Sequence, residues 1–147
     1  MMGHLILRVV IKLLFAPILL FGLYVQFHGD YGPGGGFQAG VIFASAFILF
    51  ALGFGLKETQ KHLPPTVLPF FMVFGLLLYA LTGVLGLFMG GNFLDYYVLA
   101  PDSHHNAGQH IGIILVEFGV GVAVFSAMMT IFYFFAGREP EIHDADW

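Results

Sequence analysis

Four long apolar stretches, separated by short polar segments, make up most of this 147-residue chain. They cover residues 5–27, 38–56, 67–89 and 111–135. Each reaches the length of about 18 apolar residues that marks a helix able to cross the hydrocarbon core of a bilayer. We therefore predict an all-α integral membrane protein with four transmembrane helices, a single transmembrane domain over residues 1–147 that ends in a polar tail at 136–147.

The basic residues all fall on one side of this four-helix topology. They are Arg8 and Lys12 in the first span, Lys57 and Lys61 in the second loop, and Arg138 in the tail. The first loop, residues 28–37, and the third loop, residues 90–110, contain no lysine or arginine. Because basic loops stay in the cytoplasm, the pattern predicts that both termini are cytoplasmic and that the first loop lies on the outer face.

The composition excludes several classes of function. Charged residues make up 10% of the chain, against about 25% in soluble domains, and the four spans leave no room for a separate catalytic domain. The chain has no cysteine, so it holds no disulfide, thiolate metal site or iron–sulfur cluster. It has no strongly basic surface of the kind that binds nucleic acid. We expect neither enzyme activity nor a cofactor.

Small residues recur at four-residue spacing in two of the spans. One ladder is Gly36, Gly40 and Ala44, and the other is Gly119, Ala123 and Ala127. In lipid, small residues allow helices to approach closely, because burying apolar surface against another helix gains little over lipid itself. Glycine and alanine are also simply frequent in membrane spans, and this alternative stays open. In the second interpretation, the ladders are packing faces that contact another helix of this chain or a partner subunit.

The first loop is rich in glycine. Residues 28–40 read His-Gly-Asp-Tyr-Gly-Pro-Gly-Gly-Gly-Phe-Gln-Ala-Gly. Glycine reaches positive φ without a Cβ clash and lets another backbone come close, whereas Pro33 fixes its own φ and removes one backbone donor. The loop lacks the Gly-Lys-Ser/Thr ending of a phosphate-binding loop. It therefore predicts a special backbone path at the membrane surface.

Glu117 is the only charged residue in the fourth stretch. An ionised carboxylate at the bilayer centre costs roughly 2.5 kcal/mol or more, so this side chain should face protein or water. His110 lies seven residues earlier, on nearly the same face of the helix. The two residues are candidates for a proton relay or a cation path; the alternative is a hydrogen-bonded glutamate that fixes helix packing.

Other histidines lie in the loops. The segment His104-His105-Asn106-Ala107-Gly108-Gln109-His110 resembles a metal motif at first sight, but Asp95 and Asp102 are its only nearby carboxylates and it has no cysteine partner. We therefore predict no metal site there. His28 and Asp30 in the first loop are candidates for an outward-facing polar mouth.

The order of residues in the glycine run resembles the signature of the MnhB/MrpB family, the B subunit of the multisubunit Na⁺/H⁺ antiporter (Mrp complex). The family pattern is His-Gly-His-x-x-Pro-Gly-Gly-Gly-Phe-x-Gly-Gly; here Asp30 replaces the second histidine and Ala39 replaces a glycine. The resemblance extends to the length, the four spans and the polar approach to the last one. The motif residues that carry it are Gly29, Pro33, Gly34, Gly35, Gly36, Phe37 and Gly40.

This resemblance implies a small hydrophobic subunit of a large assembly in the inner membrane of a bacterial or archaeal cell. Complexes of this family exchange Na⁺ for protons and are driven by the proton-motive force. The implied partners are the other antiporter subunits and membrane lipid, with Na⁺ and H⁺ as the ions that the complex moves. The subunit itself is not known in the family as a catalytic centre.

Two other interpretations remain at this point. Segments related to the B subunit also occur in redox-driven, complex I-like pumps such as membrane-bound hydrogenases, where iron–sulfur or nickel–iron partners would be expected. A free-standing membrane enzyme with a histidine metal site would require a bound metal, and the sequence offers little support for one. The antiporter interpretation leads because the chain has the length of a separate B subunit.

Overall fold

A computed structural model describes residues 2–100 and 107–138, and within these ranges the chain is helical and contains no strand. The elements are α1 (Met2–His28), α2 (Gly36–Phe54), α3 (Leu56–His62), α4 (Leu68–Phe88), a 3₁₀-helix (Tyr96–Leu99) and α5 (Ala107–Ala136). In this described part of the chain, four segments are long and apolar enough to cross a membrane: Leu5–His28 of α1 and the whole of α2, α4 and α5. The predicted all-α fold with four spans is confirmed.

The helices α2 and α5 begin earlier than the predicted spans. α2 lies two residues earlier than the predicted 38–56, because Gly35 and Gly55 flank the helix at the positions where the backbone turns. α5 begins four residues before the predicted 111, since the helix includes polar residues that precede the apolar run. α3 and the 3₁₀-helix were not predicted.

Glycines with positive φ separate several helices. Gly35 (φ 120°) precedes α2, Gly55 (φ 93°) separates α2 from α3, and Gly90 (φ 87°) follows α4. The N–H of Gly55 donates to the carbonyl of Ala51 at 2.8 Å, which satisfies an end group of α2. A residue that carries a Cβ atom is destabilised at positive φ. These three positions therefore require glycine.

The four long helices lie in the order α1, α2, α5, α4. α2 packs against α1 on one side and α5 on the other, whereas α4 packs against α5. Among the described residues, α1 and α4 form no substantial contact with each other. Each outer helix therefore presents a broad apolar face, exposed in this chain, to lipid or to a partner subunit.

Both predicted ladders of small residues lie at helix contacts within the chain. Gly40 faces the backbone of Gly121, because a Cβ on Gly40 would lie 2.6 Å from the Gly121 carbonyl oxygen. Gly119 faces Gly75 of α4, with a Cβ at Gly119 only 2.8 Å from the Gly75 carbonyl oxygen. These contacts bring backbones together and make α5 the centre of the fold.

The buried apolar core lies toward the end of α5 that is distant from the glycine run. It consists of Ala44, Leu63, Leu68, Met129 and Tyr133. The Tyr133 hydroxyl donates to the backbone carbonyl of Leu63 at 2.9 Å. This bond ties α5 to the loop between α3 and α4.

Candidate functional site

The glycine run folds back onto the end of α1. The carbonyl of His28 accepts hydrogen bonds from the N–H groups of Tyr31 and Gly32, both at 3.0 Å. Gly35, with its positive φ, donates its N–H to the carbonyl of Val25 at 3.1 Å. The turn therefore satisfies backbone groups that α1 leaves open at its end, and it directs the chain into α2.

Most glycines of the run are required by close contacts. A Cβ on Gly34 would lie 2.7 Å from the Val25 carbonyl oxygen, and a Cβ on Gly29 would lie 2.6 Å from the Cα of Gly35. A Cβ on Gly36 would lie 2.6 Å from the carbonyl carbon of Glu117 in α5. The run is thus the place where the end of α1, the start of α2 and the first third of α5 meet, with backbone against backbone.

The carboxyl group of Glu117 lies directly against this turn. A Cβ on Gly29 would be 2.6 Å from Oε2 of Glu117, and one on Gly35 would be 3.0 Å from Oε1. The side chain is half-buried, and no described residue forms a hydrogen bond with its carboxyl group. Glycine at these two positions leaves the space that the carboxyl group occupies, and the group keeps its capacity to bind water, an ion or a partner.

Asp30 links the first loop to α5. Its carboxylate oxygen Oδ2 is in hydrogen-bonding contact with Nδ1 of His110, in the first turn of α5. The Asp30 side chain is 5% exposed and that of His110 is 44% exposed. The ring of Tyr31 stacks on the His110 ring at a centroid distance of 6.0 Å. His110 is thus the accessible member of a pair whose carboxylate is buried.

The two carboxylates belong to one cluster. Asp30 directly follows Gly29, and the carboxyl group of Glu117 lies against Gly29 and Gly35. The glycine turn and α5 therefore place two acidic side chains and one histidine at the same end of the molecule. We name Glu117, Asp30 and His110 the polar cluster.

Comparison with known proteins identifies the family. Residues 6–130 match the domain related to the MnhB subunit of the Na⁺/H⁺ antiporter. The chain is also similar to proteins named as antiporter subunit mnhB2 from Staphylococcus aureus strains Newman, JH1 and Mu3. The identity is 35% over 133 residues, which are 90% of this chain and 94% of each relative. The chain belongs to the MnhB family. The predicted family membership is confirmed, and the chain is a multi-pass protein of the cell membrane.

Among the remaining histidines considered in the sequence of this MnhB-family chain, the one in the described part of the structure does not belong to the polar cluster. His28 stacks on Tyr24 at a centroid distance of 5.2 Å, and its ring lies beside Gly32. It does not join the polar cluster through any contact among the described residues. His104 and His105 lie outside those residues. In the described part of the chain, no three histidine, aspartate or glutamate side chains are grouped as a metal site would require.

Reasoning from the sequence missed two features of the MnhB-family site. It paired His110 with Glu117, whereas the structure places His110 against Asp30, 80 residues away in sequence. It also passed over Gln26, which is 8% exposed and whose Oε1 would be 2.9 Å from a Cβ on Gly121. The available signal for Gln26 was an amide within the last turns of an otherwise apolar span.

Proposed function

We propose that this chain is the B subunit of a multisubunit Na⁺/H⁺ antiporter in a bacterial or archaeal cell membrane, and that its polar cluster carries protons or cations at the outer face. Membership of the MnhB family supports the first part. The second part depends mainly on one observation, the contact between buried Asp30 and the more exposed His110, beside the turn against which the Glu117 carboxyl group packs. The subunit has no enzyme activity of its own in this proposal.

The cluster offers a stepwise route into the membrane. His110 is accessible to water, and an imidazole ring can both accept and donate a proton. It can pass a proton to Asp30, which in turn interacts with Glu117. From His110 to Glu117 the route covers seven residues of α5, about 10 Å along the helix axis. In this proposal the route ends about 10 Å below the level of His110, where a partner subunit receives the proton.

The sidedness of the cluster follows from the basic residues. The polar cluster lies at the end of the molecule opposite to Lys57 and Lys61 of α3. With α3 in the cytoplasm, as the positive-inside pattern predicts, the cluster opens to the outside. An outward-opening acidic group is suited to collecting external protons when the complex exchanges them for cytoplasmic Na⁺.

We further propose that the glycine-rich turn docks a neighbouring subunit. Three large aromatic residues around it are exposed in this chain: Phe27 (63%), Tyr31 (78%) and Phe37 (61%). Aromatic residues are enriched in the buried centres of protein interfaces. A partner that covers them would also limit the access of water to the polar cluster.

The substitution Glu117→Gln in the assembled complex tests the ion-path role. The amide keeps the size of the side chain but cannot titrate, so we expect assembly to be normal and Na⁺-dependent proton flux in everted vesicles to fall on the order of 10²-fold, the usual contribution of a positioned proton-transfer group. Glu58→Gln is the matched control, since Glu58 is a carboxylate in α3, paired with Lys61, outside the cluster. Normal transport by Glu117→Gln over the whole pH range would remove Glu117 from the mechanism.

A redox-driven pump is the second candidate function. The relatives reported above carry names of antiporter subunits, which favours the antiporter. Native mass spectrometry of the gently solubilised complex separates the two, because iron–sulfur or nickel–iron partners would support the redox-driven pump.

A further inference from the structure

A narrow cleft runs between α1 and α5, with α2 as its floor. It has a volume of about 340 Å³ and an apolar lining. Leu23 and Phe27 form one wall, Phe118 and Val122 the other, and Phe47 lies at the base. The cleft exists because α1 and α5 both pack on α2 but form few contacts with each other.

The cleft is too small to enclose a whole helix, of which only side chains would enter it. A cylinder 10 Å wide and 15 Å long, the dimensions of about ten helical residues, has a volume of roughly 1,200 Å³. This is several times the 340 Å³ of the cleft. An extended hydrocarbon chain is apolar along its whole length and so matches the apolar lining of the cleft.

Two cations lie on the same face of α1, nearer its N-terminus. Lys12 and Leu23 are 11 residues apart, which is about three turns, so both side chains project toward the same side of the helix. Arg8 lies one further turn toward the N-terminus and is 18 residues, or about five turns, from the cleft residue Gln26. The face that walls the cleft therefore continues to two exposed basic side chains.

These cations have capacity for an anion. Arg8 donates its Nε–H to the carbonyl of Gly53 at 3.2 Å, which leaves the other guanidinium N–H groups available. Arg8 and Lys12 both lie over the ring of Phe54, at 5.6 and 5.5 Å from its centroid. Within the described ranges, neither of them forms an ion pair with a carboxylate. Phe54 holds the two cations together at the end of α2.

The spacing between the cations and the cleft matches one leaflet of a bilayer. Lys12 and Leu23 are separated by about 16 Å along the axis of α1. Half of the hydrocarbon core of a bilayer is about 15 Å thick. A lipid whose phosphate lies at Lys12 would therefore extend its acyl chain to the level of Leu23.

We propose that the α1–α5 cleft binds one acyl chain of an anionic phospholipid, whose headgroup phosphate is held by Arg8 and Lys12. The lipid comes from the leaflet that adjoins the α2–α3 junction, which is the cytoplasmic leaflet in the orientation proposed above. It fills the gap between α1 and α5 and so helps to hold α1 in its place beside α2. The proposal does not depend on which residues carry the ions.

Photo-crosslinking in the reconstituted complex tests this site. The probe is phosphatidylglycerol with a photoactivatable group at the end of one acyl chain, and its zwitterionic phosphatidylcholine analogue is the comparison. We expect crosslinks from phosphatidylglycerol to the peptides that contain Leu23 and Phe118. Replacing both cations, Arg8→Gln with Lys12→Gln, should lower their yield about 25-fold, roughly fivefold for each cation near an anionic lipid surface.

The controls separate the headgroup from the chain. Lys57→Gln changes an exposed cation on α3 and should leave the yield unchanged. Val122→Phe fills the cleft from the side of α5 and should abolish the crosslinks to Leu23. Lys12→Gln alone removes no hydrogen bond among the described residues. It should lower the crosslinking yield about fivefold, and it can be measured even if the double variant fails to assemble.

Two outcomes would overturn the proposal. Equal crosslinking by phosphatidylcholine, with no effect of Arg8 and Lys12, would show that the lipid chain is not selected by an anionic headgroup. Crosslinks that go mainly to another subunit, with Leu23 protected, would show that a protein partner covers the cleft instead of a lipid.

Discussion

Replacing Gly36 by alanine tests the contact on which the geometry of the site depends. A Cβ at this position would lie 2.6 Å from the carbonyl carbon of Glu117, whereas carbon atoms in ordinary contact are about 3.5–4.0 Å apart. The obstacle is backbone and cannot rotate away. The carbonyl oxygen of Glu117 lies closer still to this Cβ, so the start of α2 and the first third of α5 must separate by more than about 1 Å, and Glu117 moves with its backbone.

The magnitude follows from two opposing effects. Because the obstacle is backbone, overpacking should cost about 2–3 kcal/mol, the upper part of the usual range, and alanine regains at most ~1 kcal/mol of helix propensity over glycine. The net loss of stability is then about 1–2 kcal/mol, since both effects act on the same residue. Because Glu117 is displaced from Gly29 and Gly35, antiport should fall together with stability.

Gly22→Ala is the matched control. A Cβ on Gly22 would lie 3.3 Å from side-chain atoms of Ile42 and Phe43, which can shift by a few tenths of an ångström. The gain in helix propensity of ~1 kcal/mol should then leave the protein as stable as before or slightly more so.

The assay is the apparent melting temperature of the purified complex, together with the antiport rate in vesicles. A loss of 1 kcal/mol lowers the melting temperature by about 2–4 °C for a chain of this size, so Gly36→Ala should lower it by about 2–8 °C and Gly22→Ala should not lower it. If the two variants have the same melting temperature, the backbones of α2 and α5 are not in close contact at Gly36.

Two further substitutions test the polar cluster and the core separately. Asp30→Asn removes the charge that faces His110, so we expect an assembled complex with an antiport rate lowered by on the order of tenfold or more; an unchanged rate across the pH range would exclude this contact from the mechanism. Tyr133→Phe deletes the hydrogen bond to the Leu63 carbonyl and should cost about 1–2 kcal/mol of stability without changing the antiport rate, as melting and flux measurements would show. A lower rate at unchanged stability would contradict this structural role of Tyr133.

The sequence was sufficient to predict the elements that depend on local composition. Span length and apolarity identify the four helices, because the bilayer imposes both. Glu117 could be singled out because an ionisable side chain in an apolar span is energetically costly and therefore marks a candidate functional site. The glycine run predicted an unusual backbone path, and Gly35 does adopt a positive φ.

The contacts between distant segments could not be predicted in the same way. Gly36 meets the backbone of Glu117, and Asp30 meets His110, across about 80 residues of sequence. A ladder of small residues indicates a close approach but not its partner, so Gly75 of α4 went unnoticed. α3 has 7 residues, too few for a periodic pattern to indicate a helix.

The combined role of the two carboxylates can be tested most directly by a double-mutant cycle on the antiport rate, with Asp30→Asn, Glu117→Gln and both together in the assembled complex. If Asp30 and Glu117 act as one unit on a single path, the double variant should lose about as much activity as the more severe single variant. If the two losses multiply in the double variant, the carboxylates act independently, and the polar cluster does not form a single path.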